Sequence, residues 1–416
     1  MRRFWASLAI AMCGIGGTIG YIAVSSSSDA SAANLFVNVT AGTCTRSASQ
    51  ITFEQAQTNG WLCGSIQSAV AACTAGDLIR MKVGSYADQV VTATKSSPGC
   101  VVDAEDGTNI GDLDTIGAFY ELKDMDATSW SSTDDMTNIT LRNVEISGNG
   151  GIYLDTNSQD EQFTNVSWIG GSFHDFACSG CPAGMAIYTS ANAGGGPGGS
   201  KITNFVIEDV DFFNIANTGG VGNHFEVVRV DGVIDGFTCR KCTFGAGNVT
   251  STSIIFFSTF RSSIATAGVD KPINVTLENT FFGDTGDAFF TLSHNYGGKS
   301  CDNQTFTYNT FLAAPFAGGN CTYTNVVWTG NLAPAGNGCQ GTTFTDNVWY
   351  GSGSTCHASD LVITNSGLGG TDGFYLQSGS GAIDNGGSGG NCISEDHDAG
   401  PRPVGAQCDA GADERD

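Results

Sequence analysis

Basic residues are scarce in this 416-residue chain: 17 Lys and Arg stand against 41 Asp and Glu, a formal charge of −24. That imbalance excludes the phosphate backbone of nucleic acid as a partner. It also disfavours an anionic polymer such as a polyuronate unless Ca²⁺ bridges the charges. Proline is scarce too, at 8 residues, and no apolar run after Val24 is long enough to span a bilayer. What is plentiful is glycine, at 58 residues, beside Thr, Asn and Phe. This is the composition of turn-rich β structure rather than of helix.

The first 32 residues read as an export signal. Arg2 and Arg3 supply the positive end, an apolar run follows, and Ala30-Ser31-Ala32 offers a small-residue cleavage site. The run from Phe4 to Val24 also has the length of an uncleaved membrane anchor. Of 15 cysteines one, Cys13, lies in this leader, which leaves an even number for an oxidising compartment. Close pairs are Cys178/Cys181, Cys239/Cys242, Cys301/Cys321, Cys339/Cys356 and Cys392/Cys408. The two CxxC pairs have the spacing of zinc or redox sites but lie among strand patterns, so structural disulfides are expected. Cys392–Cys408 is expected because it brackets a short, core-poor acidic segment.

A repeat organises the middle of the chain. "NITLRNVEI" (from Asn138), "NVSWIGGSF" (Asn165), "NFVIEDVDF" (Asn204), "GFTCRKCTF" (Gly236), "NVTLENTFF" (Asn274), "NQTFTYNTF" (Asn303) and the weaker "NVVWTGNLA" (Asn325) share one pattern. The fourth column reads Leu141, Trp168, Ile207, Cys239, Leu277, Phe306, Trp328, and the ninth Ile146, Phe173, Phe212, Phe244, Phe282, Phe311. Positions between are Thr, Ser, Val or charged, so the alternation has period two with an apolar inner face. In the fifth column Glu208, Arg240 and Glu278 would stack as alternating charges ~4.8 Å apart. Unequal spacings between copies suit a solenoid whose loops vary while its strands stay in register.

Each coil has a second strand: "GIYLD", "MAIYTS", "HFEVVRVD", "SIIFFSTF" and "AFFTLSHN". Ordered strands without crossover helices predict an all-β, single-stranded right-handed parallel β-helix. Its hand rests on twist and on the resemblance described next. Ile66, Ala69, Val70 and Cys73 fall at helical spacing, so a short N-terminal helix is expected to cap the first coil. Leader, solenoid and closing segment are placed at 1–32, 33–376 and 377–416.

That helix followed by "AGDLIRMKVGSYADQVV" resembles the start of right-handed parallel β-helix proteins of the pectate-lyase superfamily. The resemblance covers roughly Gly64 to Trp349 and implies fold rather than substrate. "SGAID", "DHDAGPRP" and "DAGADE" resemble the closing motifs of the choice-of-anchor Q domain, which implies an exported, often surface-attached bacterial protein. Gly381 and Asp413 depart from that pattern, standing where proline and an aromatic are common. The acidic residues here, with Arg402, are expected to fold over the last coil as a salt-bridged cap. A Ca²⁺ site on Asp396, Asp398 and Asp409 is the alternative, and Ca²⁺ the only cofactor suggested.

Catalytic candidates follow from parity. With Phe225 and Val227 inward, His224 and Glu226 share the outward face of one strand ~6.7 Å apart. A carboxylate that near would tune an acid–base pair. The same parity exposes Tyr153 and Asp155, Ile187, Ile255 and Phe257, and Phe289, a ring-and-carboxylate face suited to sugar binding. It would turn Arg229 inward, so Arg229 is expected at a bulge or at the end of the strand. Asp284, Asp287 and His294 in "GDTGDAFFTLSHN" loosely resemble the paired aspartates of polygalacturonase-type β-helices. His357 and His397 read as solvated, and His174 as a turn residue. The expected role is binding or cleaving extracellular polysaccharide, by a lyase or glycoside hydrolase if an enzyme. The alternative is a non-catalytic surface or adhesive protein. The chain is expected to be a secreted or cell-surface monomer, touching membrane only through an uncleaved leader.

Overall fold

Each coil turns at residues held in the left-handed backbone region, where asparagine and glycine are tolerated best. The first repeat position has φ 53 at Asn138, 53 at Asn165, 54 at Asn204, 92 at Gly236, 57 at Asn274, 53 at Asn303 and 54 at Asn325. The sixth position does the same, with φ 50 at Asn143, 55 at Asp209, 54 at Lys241, 48 at Asn279, 52 at Tyr308 and 55 at Asp346. Between these corners lie four extended residues, too few to do anything but pair with the coils on either side. The structure, a computed structural model, describes residues 33–40, 42–156, 162–179, 181, 183–189, 201–218, 225–231, 234–245, 253–258, 272–283, 300–312, 322–335, 341–352, 357, 360–364, 366–369, 375–387 and 392–415.

The pairing is parallel throughout the solenoid and makes a parallel β-helix. In a first sheet, built from 139–142, 166–169, 205–208, 237–240, 275–278, 304–307 and 326–329, the fourth position is in register from coil to coil. Leu122, Leu141, Trp168, Ile207, Cys239, Leu277, Phe306, Trp328 and Phe344 form that column. All but the partly buried Phe344 are fully buried. A second sheet holds 145–147, 172–178, 211–217, 243–244, 281–282, 310–311, 332–334 and 348–350. Its inner column stacks Phe212 on Phe244 at 4.4 Å, Phe244 on Phe282 at 5.4 Å and Phe282 on Phe311 at 4.9 Å. A third sheet holds 89–94, 113–118, 129–132, 151–156, 183–189, 226–231 and 253–258.

Hydrogen bonds tie the corners together. Asn165 donates to Asn138 (2.9 Å), Asn204 to Asn165 (3.0 Å), Asn303 to Asn274 (3.2 Å) and Asn325 to Asn303 (3.1 Å). Where the repeat has Gly236, a Cβ would lie 2.7 Å from Asn204 Oδ1, and Asn274 donates to the preceding Asp235 instead (2.8 Å). Inside the solenoid the seventh position changes from Val144, Val210 and Cys242 to Asn309, Asn331 and Asn347, all buried. Asn309 donates to Asn331 (3.0 Å) and Asn331 to Asn347 (2.9 Å), while their amides also serve the carbonyls of Leu277, Phe306 and Trp328. The repeat also has an earlier copy, "FYELKDMDA", with corners at Phe119 and Asp124 (φ 62 and 59). An aromatic first residue hides it from a search for asparagine.

The helix expected over the first coil is α2, Ile66–Ala72, after a short α1, Phe53–Thr58. A Ser65/Ser68 capping box starts α2, and Ile66, Ala69 and Val70 bury its inner face. The Cys73–Cys100 disulfide ties its end to the first coil, and Cys44–Cys63 fastens the chain before it. Cys178–Cys181 and Cys392–Cys408 are bonded as expected. Cys239 and Cys242 are not: they are buried thiols with sulfurs 2.8 Å apart. Both point into the core from either side of the Lys241 corner, and burial pushes the Cys242 thiol well up. Cys321, Cys339 and Cys356 lie outside the described residues.

The closing segment does more than cover the last coil. It lies along the solenoid's flank, following the sixth-position corners back over several coils. Gly411 N–H donates to Gly330 O (2.8 Å), Tyr308 Oη to Gly386 O (2.6 Å), Asn279 Nδ2 to Glu395 O (2.7 Å) and Lys241 Nζ to Glu395 (2.7 Å). Under it the eighth position becomes buried: Glu145, Ser172, Asp211 and Thr243 give way to Phe281, Thr310, Leu332 and Val348, apolar but for Thr310, whose hydroxyl accepts the Ala412 N–H. Lys241 and Tyr308 are the bulky residues at left-handed corners of these coils, a conformation costing ~1–3 kcal/mol. The strap holds both, Lys241 by Glu395 and Tyr308 by Arg402, 4.6 Å above its ring.

Two outcomes test this packing. Asn331→Ala strips partners from Asn309 and the Phe306 carbonyl, and should cost roughly 3 kcal/mol in urea unfolding with an unchanged slope. Burial raises the Asp413 carboxyl to about 6, although it accepts the Leu376 N–H. A folded-state value above the ordinary carboxylate range favours folding of the protonated form, and stability is lost as pH rises through about 6. Asp413→Asn should therefore raise the melting temperature at pH 8, by the equivalent of about 2 kcal/mol, and change little at pH 4.

Candidate functional site

The outward face of the third sheet collects the described residues best placed to meet a ligand. Register sets Tyr153, Ala186 and Arg229 side by side in one row, and Asp155 and Tyr188 in the next. Tyr153 is 39% exposed, the one described Phe, Tyr or Trp ring to stand so far into solvent. Its hydroxyl donates to Asp155 Oδ2 at 2.7 Å, and its ring meets Tyr188 edge-on at 5.5 Å. The ring is thus fixed before anything binds. Further along its row, Ser131 and Asp114 are register neighbours, and Asp114 lies beside exposed Val90. Burial raises the Asp114 carboxyl, against hydrogen bonds from Ser131 and the Thr115 backbone.

Glu226 lies on this outward side, between core residues Phe225 and Val227, yet it is 1% exposed. The strict alternation expected beyond it fails. Val227 and Val228 are both in the core, as are Ile254 and Ile255, so the side-chain phase slips by one residue. The slip turns Ile255 and Phe257 inward, and register with Leu154 places Ile187 inward, each 0% exposed; Phe257 meets Phe237 edge-on at 5.4 Å. Phe257 is therefore a core residue and not a sugar contact. Arg229, expected at a bulge or strand end, lies just past this slip, faces out and pairs with Glu226, Nη1 to Oε2 3.6 Å. This is a structural ion pair, and it removes the free general base that the strand pattern suggested. His224, Asp284, Asp287, His294 and Phe289 lie outside the described residues.

The acidic closing segment uses its carboxylates on its own backbone. Asp409 accepts the N–H of Asp384 (2.7 Å) and of Arg415 (2.8 Å). Asp396 accepts those of Gly400 (2.6 Å) and Glu414 (3.3 Å). Arg402, buried, donates to the carbonyls of Asp409 and Gly411. Among the described residues no three His, Cys, Asp or Glu side chains converge as metal ligands, and Asp396 and Asp409 are engaged as acceptors of the segment's own N–H groups. His397, expected in solvent, is 9% exposed, bonded to Asn279 O at 2.9 Å and packed on Phe281.

On the second sheet, His174 sits within a strand and not in a turn. Its ring stacks on Phe213 at 4.7 Å and 4°, and Nδ1 lies 2.9 Å from Asp175. Only the register of that sheet shows His174 beside Glu145, a residue from the previous coil.

No family model and no curated protein matches this chain. Among solved structures, the crystal structure of pectate lyase Pel9A is similar to it at 15% identity, covering 94% of this chain and 99% of that one, with a TM-score of 0.47. The parallel β-helix assignment stands on the strand register given above.

Arg229→Met should leave the Glu226 carboxylate poorly compensated in a buried position. A loss on the order of 2–3 kcal/mol is expected by denaturant unfolding, partly restored by Glu226→Gln in the same chain.

Proposed function

We propose that this is an exported β-helix protein that binds extracellular polysaccharide on the outward face of its third sheet. The observation that carries this reading is Tyr153: an exposed ring, held by Asp155 and Tyr188 on a strand of a rigid solenoid. Rings stack on the apolar faces of pyranoses while neighbouring carboxylates take up hydroxyls. Export is supported by the leader-like N-terminus and by disulfides, which suit an oxidising compartment. The resemblance of the closing motifs to a choice-of-anchor Q domain supports placement at a cell surface.

A display or adhesive role is favoured by a separate observation, the first sheet's outer ladders. Arg142 pairs with Glu121 and Arg240 with Glu208, each at 2.7 Å, beside the asparagine ladder. Those charges are neutralised within the chain and suit a rigid spacer.

Tyr153→Ala should weaken binding to an insoluble or arrayed glycan by about fivefold, near 1 kcal/mol, without shifting the melting temperature. Unchanged retention on every glycan bound by the parent chain would exclude this face as the contact.

A further inference from the structure

The outer face of the first sheet changes character along the solenoid. In earlier coils the fifth repeat position carries charge, at Arg142, Glu208, Arg240 and Glu278. In the last three coils it is Thr307, Thr329 and Thr345, in register, and the third position of the same strands is Thr305, Val327 and Thr343. Register carries that third-position row back to Thr276 and Thr238. None of these side chains is buried, and the threonine hydroxyls have no hydrogen-bond partner among the described residues. Like positions recur ~4.8 Å apart from coil to coil and ~6.7 Å apart along a strand. Beneath the array Phe306 stacks on Trp328 at 4.3 Å, and Trp328 on Phe344 at 6.5 Å, which supports the three strands from within.

Sheet-forming preference is met as well by Val or Ile, and it does not call for rows of hydroxyls without a partner in the chain. Threonine is β-branched and stiff at χ1, so each methyl and hydroxyl keeps a narrow set of directions. The result is a flat, uncharged lattice of donors and acceptors, bounded in its fifth-position row by Glu278 and Arg240. Its complement must itself be flat, rigid and uncharged, and must repeat at the same two spacings. The surface of ice meets each condition. Rows of water oxygens on its prism face recur at close to these spacings, threonine hydroxyls continue its hydrogen bonds, and the methyls fill the gaps between them. We propose that the threonine face running from Thr238 to Thr345 is an ice-binding surface. Single contacts are weak, but once one is made the others follow at fixed spacing within the same complex, so the array holds as a unit. This inference uses other residues than the polysaccharide reading and does not rest on it.

The test follows the full chain in two assays, recrystallisation of ice in frozen sucrose solution and growth of a single ice crystal in an osmometer. The parent chain should arrest grain growth and shape the crystal. Thr329→Lys sets a charge at the centre of the array, and the ammonium must shed its water to lie on the lattice. It should raise the concentration needed by about tenfold or more, with the melting temperature unchanged. Thr343→Lys, at an exposed position of the last coil, keeps the test standing if Thr329→Lys loses stability. Val404→Lys, at an exposed position on the closing strap, should act on ice as the parent does. A parent chain that leaves ice growth at the rate seen with serum albumin would overturn the proposal. So would full activity in both threonine variants, or an equal loss in Val404→Lys, which would trace the effect to added charge and not to this face. Retention on glycans is measured separately, so none of these results decides the polysaccharide reading.

Discussion

Everything in this molecule depends on two left-handed corners per coil. Residues at the first and sixth repeat positions adopt positive φ, and the four residues between them have no local partner for their N–H and C=O groups. Neighbouring coils supply those partners, which imposes a parallel register at ~4.8 Å and stacks like positions in columns. Asparagine suits the corners because it tolerates the conformation and its amide both donates and accepts along the stack. The interior then fills itself: aromatic rings on one column, and buried asparagines where a carbonyl in the corner needs a donor.

A solenoid built this way has two weak points, its exposed first edge and corners that carry the wrong residue type. Helix α2 and two disulfides cover the first. The closing strap addresses the second, gripping Lys241 and Tyr308 and burying the apolar eighth-position residues that lie beneath it. The acidic residues that look like a cation site are the strap's own hydrogen-bond acceptors. Asp396, Asp409 and Glu414 accept backbone N–H groups, and Glu414 also faces Arg402, so these contacts hold the strap's own fold.

The faces left over differ in character. The first sheet's exterior is laddered and neutralised, the third presents a fixed tyrosine beside carboxylates, and the second offers a histidine between two acids. A rigid coil spacing means that ligand contacts on any of these faces are set by the backbone, and each side chain is placed by register rather than by a flexible loop.

Much of this was legible from the chain alone. The period-two columns, the inward Leu141–Trp328 row, the stacked charges, the capping helix and the Cys392–Cys408 bond follow from local pattern, because each depends on residues near in sequence or on a repeat that is itself sequential. Other features were not legible. The phase slip at Val227–Val228 reverses which side chains face out; the inward parity of the charged Arg229 points to a bulge or strand end, but adjacent apolar residues do not reveal where the phase changes. The Phe119 coil lacks the asparagine that marks the others. The strap's path over Lys241 and Thr310, 154 and 102 residues away from its contacts, leaves as a trace only the apolar residues Phe281, Leu332 and Val348 at three of the eighth positions beneath it. The pairing of Glu226 with Arg229 and of His174 with Glu145 was decided by tertiary structure for the same reason: loop lengths vary between coils, and only the stacked backbone determines which distant side chains become neighbours.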